Sequence, residues 1–305
     1  MTKPHQLISI IGPTGIGKTS VAIHLAKAFQ TDIISCDSRQ FYHEMKIGTA
    51  FPSEDELNAA KHHFIGHLSI FDAYSVGDFE RDALQKCAEL FPTKNPLILV
   101  GGSGLYEKAL TEGLDEFPTI DPEIRTALNR EFKDFGIQKL QQELKAVDPD
   151  YFQTVDSQNP VRLIRALEIY RGSGQTYSSF RQQKSHPRSF TTLRIGLELP
   201  REEIYNRINQ RVDAMVKNGL IDEAQSLYEY RHLNSLQTVG YRELFDHFDG
   251  KFSWDFAIDE IKKNSRRYAK RQMTWYRRDE SVRWFSPFDT AGILAYAKSE
   301  LGDQI

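Results

Sequence analysis

Gly12, Gly15, Gly17, Lys18 and Thr19 stand in the order G-x-x-x-x-G-K-[ST], an unbroken run from residue 12 to residue 19. Glycines at these places let successive backbone N–H groups curl toward an anion, and a helix beginning behind them adds partial positive charge. In that spacing the Lys18 ammonium reaches terminal phosphate oxygens and the Thr19 hydroxyl joins the shell of a magnesium ion. The pattern is a P-loop, with Gly12, Thr14, Gly15, Gly17, Lys18 and Thr19 expected to hold phosphate. An ordinary glycine-rich turn would not need the lysine and the hydroxyl at these offsets. Kinases, GTPases and nucleic-acid motors all carry such a loop, so it identifies a phosphate group and leaves the reaction open.

A P-loop works only between a strand and a helix, and the flanking residues supply both. Leu7 to Ile11 is a short apolar run rich in β-branched residues, and Val21, Ala22, Leu25, Ala26 and Phe29 recur at helical spacing. Asp32 to Ser35 reads as a second buried strand that ends at Cys36-Asp37-Ser38-Arg39-Gln40, and Leu97 to Val100 as another that ends at Gly101-Gly102-Ser103-Gly104. Continuous apolar strands alternating with helices predict an α/β fold with a parallel sheet covered on both faces. Polar motifs at the carboxyl ends of those strands then meet in one crevice. From about residue 116 to residue 189 strand signals vanish and Asp121-Pro122-Glu123 opens a helical stretch, which predicts an all-helical insertion between core segments 1–115 and 190–305. A strand from Thr192 to Leu199 rejoins the sheet, and Ile204, Ile208, Val212 and Val216 mark the buried stripe of a helix ended by Asn218-Gly219. The remainder reads as helical.

With 305 residues and 40% hydrophobic content the chain can bury one large core and a smaller one. Two cysteines, Cys36 and Cys87, make no disulfide framework and point to a reducing compartment. The apolar opening is too short for a signal peptide or an anchor, and no run approaches the roughly 18 residues of a membrane span. A soluble, cytoplasmic protein without a membrane partner is therefore expected. The net charge of −3 excludes a uniformly basic nucleic-acid binder, yet from Lys262 to Arg283 nine basic residues face only Asp279 and Glu280. His62, His63 and His67 have no cysteine or carboxylate at metal-site spacing and read as a polar loop.

Asp37-Ser38-Arg39-Gln40-Phe41-Tyr42, Met45 to Ala50, Gly101 to Tyr106, Gly240-Tyr241-Arg242-Glu243 and Arg267 to Trp275 follow the P-loop in order. Together they resemble the tRNA dimethylallyltransferase (tRNA isopentenyltransferase) family of bacterial type, over nearly the whole chain. The cysteines for the zinc finger of eukaryotic relatives are absent. The resemblance implies a magnesium-dependent transferase that moves a dimethylallyl group from its pyrophosphate to the exocyclic amine of the adenine 3′ of the anticodon in tRNA. The P-loop would hold the leaving pyrophosphate. Arg211 matches the family's pyrophosphate arginine, whereas Arg207, one turn earlier, reads as a solvated helix residue. Asp37 matches the family's candidate base, and a carboxylate against a weakly nucleophilic amine suits that role. The same position in other P-loop proteins often supports magnesium, and both roles stay open for Asp37, with Thr19 as the metal's other ligand.

The resemblance also implies contacts with the tRNA anticodon stem-loop. Ser38, Arg39 and Gln40 would read or position the target base, with Ser103 standing where the family usually carries threonine. Gly240, Tyr241, Arg242, Arg267, Lys270 and Arg271 would contact RNA from the C-terminal part, and Arg125, Val161, Arg162 and Arg165 from the insertion. Tyr268, Trp275 and Tyr276 mix with the basic residues as stacking groups would, although packing in a core is the commoner use of such rings. A monomer is expected. Three rivals remain: a small-molecule kinase with ATP in the loop, a prenyltransferase acting on free adenine nucleotides, and a non-enzymatic nucleotide-controlled RNA-binding module.

Overall fold

The computed structural model describes residues 4–181 and 187–302. Residues 182–186, within the expected insertion, and residues 303–305 of the expected core lie outside it, as do residues 1–3. The chain separates into two compact units, Met1–Glu112 with Pro187–Ile305, and Gly113–His186.

The first unit is built on β1 (His5–Ile11), β2 (Ile33–Ser35), β3 (His62–His63), β4 (Leu97–Val100), β5 (Phe190–Leu197) and β6 (Arg283–Phe285). They form one sheet in the order β3-β2-β4-β1-β5-β6, and every pairing is parallel. Apolar side chains of β4 alternate between two cores. Ile98 and Val100 join Val21, Ala22 and Leu25 on one face, while Leu97 and Leu99 join Phe41, Phe79 and Leu110 on the other. Both faces are thus dry, which is why these strands read as unbroken apolar runs. Each such buried aliphatic side chain contributes about 1.5–3 kcal/mol.

Helices cover the faces: α1 (Lys18–Phe29), α2 (Glu54–Ala59), α3 (Val76–Leu90) and α4 (Gly104–Thr111) come before the second unit. That unit holds α5 (Pro122–Phe135), α6 (Ile137–Val147), α7 (Pro149–Thr154), α8 (Pro160–Ser173) and α9 (Tyr177–Phe180) around its own core of Leu128, Leu140, Leu144, Leu163 and Leu167. Asp121 caps α5 by accepting from the Glu123 N–H at 2.9 Å, with Pro122 preorganising the first turn. After β5 come α10 (Arg201–Lys217), α11 (Leu220–Ser226), α12 (Tyr241–Phe248), α13 (Trp254–Tyr276) and α14 (Thr290–Leu301). Val212, Leu220, Tyr241, Leu244, Phe245 and Ile261 knit α10 to α13 into a third core. Among the described residues no helix is long and apolar enough to cross a membrane.

Three expectations need correction. The chain after α10 is not all helix, because Arg283–Phe285 adds β6 to the edge of the sheet beside β5. The strand rejoining the sheet starts at Phe190, before Thr192, and ends at Leu197. Of the three histidines expected in a polar loop, only His67 lies in one, beside Phe41, Phe64 and Tyr74. His62 and His63 pair with β2 as an edge strand, and the His63 Nε2 lies 2.9 Å from the Asp32 carboxylate.

Register decides where the functional loops begin. Ile10 of β1 pairs with Val100 of β4, and Val100 pairs with Ser35 of β2. The three neighbouring strands therefore end level, and Gly12, Cys36 and Gly101 leave the sheet along one line.

Candidate active site

The P-loop turns out of β1 with positive φ at Gly12, Gly15 and Gly17, where side chains rarely go. Lys18 Nζ donates to the carbonyls of Gly12 (3.1 Å) and Pro13 (2.9 Å), folding back over the loop it follows. Burial brings its pKa down to about 8, opposed by the negative charge of Asp37. Pro13 has no N–H, and the Ile16 N–H is held by the Pro13 carbonyl. Among the described residues the N–H groups of Gly15, Gly17 and Lys18 have no partner and remain for an anion.

The loop floors a cavity of about 580 Å³ that also takes in Asp37, Gln40, Thr49, Ala50, Gly101, Arg207 and Arg211. Arg211 reaches Thr14 Oγ1 at 3.4 Å and the Ala50 carbonyl at 3.5 Å. Its burial depresses its pKa, again opposed by Asp37. Arg207 is not the solvated residue expected from sequence. It donates from Nε to the Gly15 carbonyl at 2.9 Å, and its guanidinium lies 5.6 Å from the Phe288 ring centre.

A second cavity, of about 340 Å³, adjoins the first and shares Thr14, Asp37, Thr49 and Arg211 with it. Its other walls include Ser38, Arg39, Gly240, Arg242, Tyr268 and Arg271. Asp37 Oδ1 accepts from the Arg39 N–H at 3.2 Å, fixing the carboxylate at the junction. Ser38 and Ser103 are joined through their hydroxyls at 3.1 Å, and the Ser38 N–H donates to Ser103 at 3.2 Å. Tyr268 is hydrogen-bonded to Ser103 as well, and burial pushes its phenol up to about 12. Gln40 spends its amide donors on the protein, and Arg39 commits its Nη1 to it. The Arg39 guanidinium holds the carbonyls of Asn234 and Ser235, and Gln40 Nε2 holds those of Thr49 and Ala50.

Tyr241 is misplaced in the set of RNA contacts. It is 0% exposed, and its hydroxyl donates to Glu223 Oε1 at 2.6 Å, so no RNA can touch it. Glu223 also accepts the N–H groups of Ile47 and Gly48, both at 2.8 Å. A Cβ on Gly48 would meet the Tyr241 ring at 2.5 Å, so the two sequence motifs are one packing unit. Gly240 opens α12 and donates to Glu243 Oε2 at 2.8 Å.

On α13, Arg267, Lys270 and Arg271 are exposed and, among the described residues, lack an acidic partner, whereas Lys262 pairs with Asp213 and Lys263 with Glu260. The aromatic residues divide: Tyr276 is buried beside Ile11, while Tyr268 and Trp275 are partly exposed. Gln272, not singled out from sequence, is buried and hydrogen-bonded to both Thr14 and Gly102. In the second unit Arg125 and Arg165 both pair with the buried Glu168, at 3.0 and 2.9 Å, while Val161 and Arg162 are exposed on the first turn of α8.

Hard oxygen donors suit magnesium, and the Thr19 hydroxyl and Asp37 carboxylate face the same cavity. Among the described residues no cluster of three His, Cys, Asp or Glu offers a dedicated metal cage. That donor set fits an ion which keeps waters and takes phosphate oxygens from a ligand.

Residues 40–279 match the family model described as IPP transferase. The chain is similar to the tRNA dimethylallyltransferase of Christiangramia forsetii, with 57% identity over 97% of this chain and 99% of that one. The tRNA dimethylallyltransferase of Flavobacterium johnsoniae is 54% identical over 98% and 99%. Among solved structures, the full-length tRNA isopentenylpyrophosphate transferase of Bacillus halodurans superposes with a TM-score of 0.72 and 36% identity, covering 97% of both chains. A eukaryotic dimethylallyltransferase captured acting on tRNA gives a TM-score of 0.80 at 25% identity, covering 97% of this chain and 79% of that one.

Proposed function

The chain belongs to the IPP transferase family, and from that premise we propose a tRNA dimethylallyltransferase that uses dimethylallyl pyrophosphate to alkylate the exocyclic N6 amine of the adenine 3′ of the anticodon. The observation that carries this reading is the pair of adjoining cavities with Asp37 and Arg211 in their common wall. One is lined by the anion-facing loop and the other by polar and aromatic groups suited to a base turned out of the RNA stack.

In the reaction the N6–carbon bond forms as the allylic carbon–oxygen bond breaks. The electron pair of the broken bond stays on pyrophosphate, and the amine proton passes to the Asp37 carboxylate. Free N–H groups of Gly15, Gly17 and Lys18, with the Lys18 ammonium, Arg211 and Arg207, receive the charge that develops on the leaving group. Thr19, with Asp37 as the further candidate, would hold magnesium, which supplies additional neutralisation of that charge. Asp37 is better used as the base, because it stands where both cavities meet.

The RNA side we assign to Ser38, Ser103, Gly240, Arg242, Arg267, Lys270 and Arg271, with Arg39 and Gln40 setting the pocket wall. Val161, Arg162, Arg125 and Arg165 are candidates to meet the anticodon stem-loop from the helical unit; Glu168 orients the last two. We place the protein in the cytoplasm as a monomer, where its buried thiols Cys36 and Cys87 stay reduced.

Incubation of the purified protein with magnesium, dimethylallyl pyrophosphate and unmodified tRNA, followed by mass analysis of digested nucleosides, tests the proposal. The expected product is an adenosine heavier by one dimethylallyl group, formed from tRNA and not from free adenine nucleotides. Transfer of phosphate from labelled ATP to a small acceptor, with no prenylated nucleoside, would instead indicate a kinase.

A further inference from the structure

Gln272 sits on α13 between two exposed neighbours, Arg271 and the half-exposed Met273, yet is only 5% exposed itself. Both ends of its amide are used. Oε1 accepts from the Thr14 N–H at 2.8 Å, and Nε2 donates to the Gly102 carbonyl at 2.7 Å. A neutral amide can do this with no charge to desolvate, since it offers an acceptor and a donor on one planar group. The site is built around it. A Cβ on Gly102 would come within 2.5 Å of the Gln272 Nε2, so glycine there is what lets the amide approach the backbone.

The two groups it joins flank the chemistry. Thr14 lines both cavities, and its N–H is the first in the loop after Pro13, which has none. Gly102 lies beside the base, its Cβ position 3.5 Å from Asp37 Oδ2. The carrier, α13, also bears Arg267, Lys270 and Arg271. One side chain therefore fixes the entry of the phosphate loop against the loop flanking Asp37. A P-loop whose Thr14 peptide could turn would lose the aim of the N–H groups that follow it, and a small displacement at a reacting centre is costly.

We propose that Gln272 is a positioning residue for the pyrophosphate donor, holding the P-loop in register with the Asp37 carboxylate. The proposal rests on the transferase reading above. Gln272→Met keeps side-chain length and removes both hydrogen bonds, leaving the part-buried Thr14 N–H and the buried Gly102 carbonyl unpaired. In the full-length protein this variant is expected to lower kcat/KM for dimethylallyl pyrophosphate by about tenfold or more and to weaken calorimetric binding of magnesium pyrophosphate about fivefold or more, with tRNA affinity within about threefold. Gln272→Glu gives a second signature. Its protonated carboxyl reproduces the amide's acceptor and donor, whereas its carboxylate faces the Gly102 carbonyl. The activity of Gln272→Glu relative to wild type should therefore rise as pH falls from about 8 to about 6.

Donor kinetics and pyrophosphate affinity of Gln272→Met within about twofold of wild type, whatever the change in melting temperature, would overturn the proposal and reduce Gln272 to packing. A flat pH ratio for Gln272→Glu would overturn it too. If Gln272→Met fails to fold, Gly102→Ala displaces the same amide from the other side, and wild-type donor kinetics in that variant would count equally against the role. A wild-type protein that binds no pyrophosphate and prenylates no tRNA would remove the transferase reading itself.

Discussion

Lys18 is drawn two ways: burial favours its neutral form and Asp37 its charged one, and burial wins. Only the ammonium can neutralise pyrophosphate, so kcat/KM for the donor, which reports the free enzyme, should fall as pH rises through about 8. The same shift has a stability consequence of fixed sign. The folded pKa is about 8 against 10.5 for the free side chain, so between those values the unfolded chain binds more protons and stability increases with pH. Wild type should therefore gain on Lys18→Met across that window in urea melts, and a constant difference would contradict the assignment. Tyr241 makes the opposite case, a motif residue with a packing role. Tyr241→Phe should cost about 1–3 kcal/mol, because Glu223 loses a buried donor, while tRNA affinity in filter binding stays unchanged.

At the scale of elements, the level ends of β1, β4 and β2 bring the loops together, and Gly101 marks how close they come. A Cβ there would meet Cys36 Sγ at 2.5 Å and the Asp37 N at 2.9 Å. Gly101→Ala should thus displace Asp37 and lower the single-turnover transfer rate by about tenfold or more, with a stability loss of about 1–3 kcal/mol from overpacking. The P-loop is legible as a contiguous motif, whereas Asp37 and Arg211 enter only through the family resemblance. The strand end and the stripe Ile204, Ile208, Val212 and Val216 locate the elements that carry them and assign them no role. Arg207 reads wrongly as solvated since its partner carbonyl, Gly15, is 192 residues away. Gln272 lies within the motif Arg267 to Trp275, but its role is hidden for the same reason, its partners being 258 and 170 residues distant. Tyr241 carries a usable signal: Tyr241, Leu244 and Phe245 follow i, i+3, i+4, the spacing of a buried helix face. The strands β3 and β6, with two and three residues, are too short to show any period.

Across the whole molecule, charge is divided by task. The net charge is −3, yet Arg267, Lys270 and Arg271 of α13 are exposed and, among the described residues, without an acidic partner, as the proposed phosphate contacts require. Removing Arg267 or Arg271 should weaken tRNA binding and reduce the slope of log affinity against log salt by about 0.7 for each phosphate that is no longer neutralised. The helical unit is held by different electrostatics. Arg171 bonds Glu131 and Glu143, tying α8 to α5 and α6, and this draws the Glu131 pKa down to about 2.

The central claim is that a phosphate-holding cavity and a base-holding cavity share Asp37 as the proton acceptor. Single-turnover transfer by Asp37→Asn, measured with saturating tRNA and alongside calorimetric binding of magnesium pyrophosphate, tests it most directly. The account predicts a rate lower by about 10²–10⁴-fold with pyrophosphate affinity nearly unchanged. A variant that transfers at the wild-type rate, or loses activity only in proportion to weakened pyrophosphate binding, would contradict it.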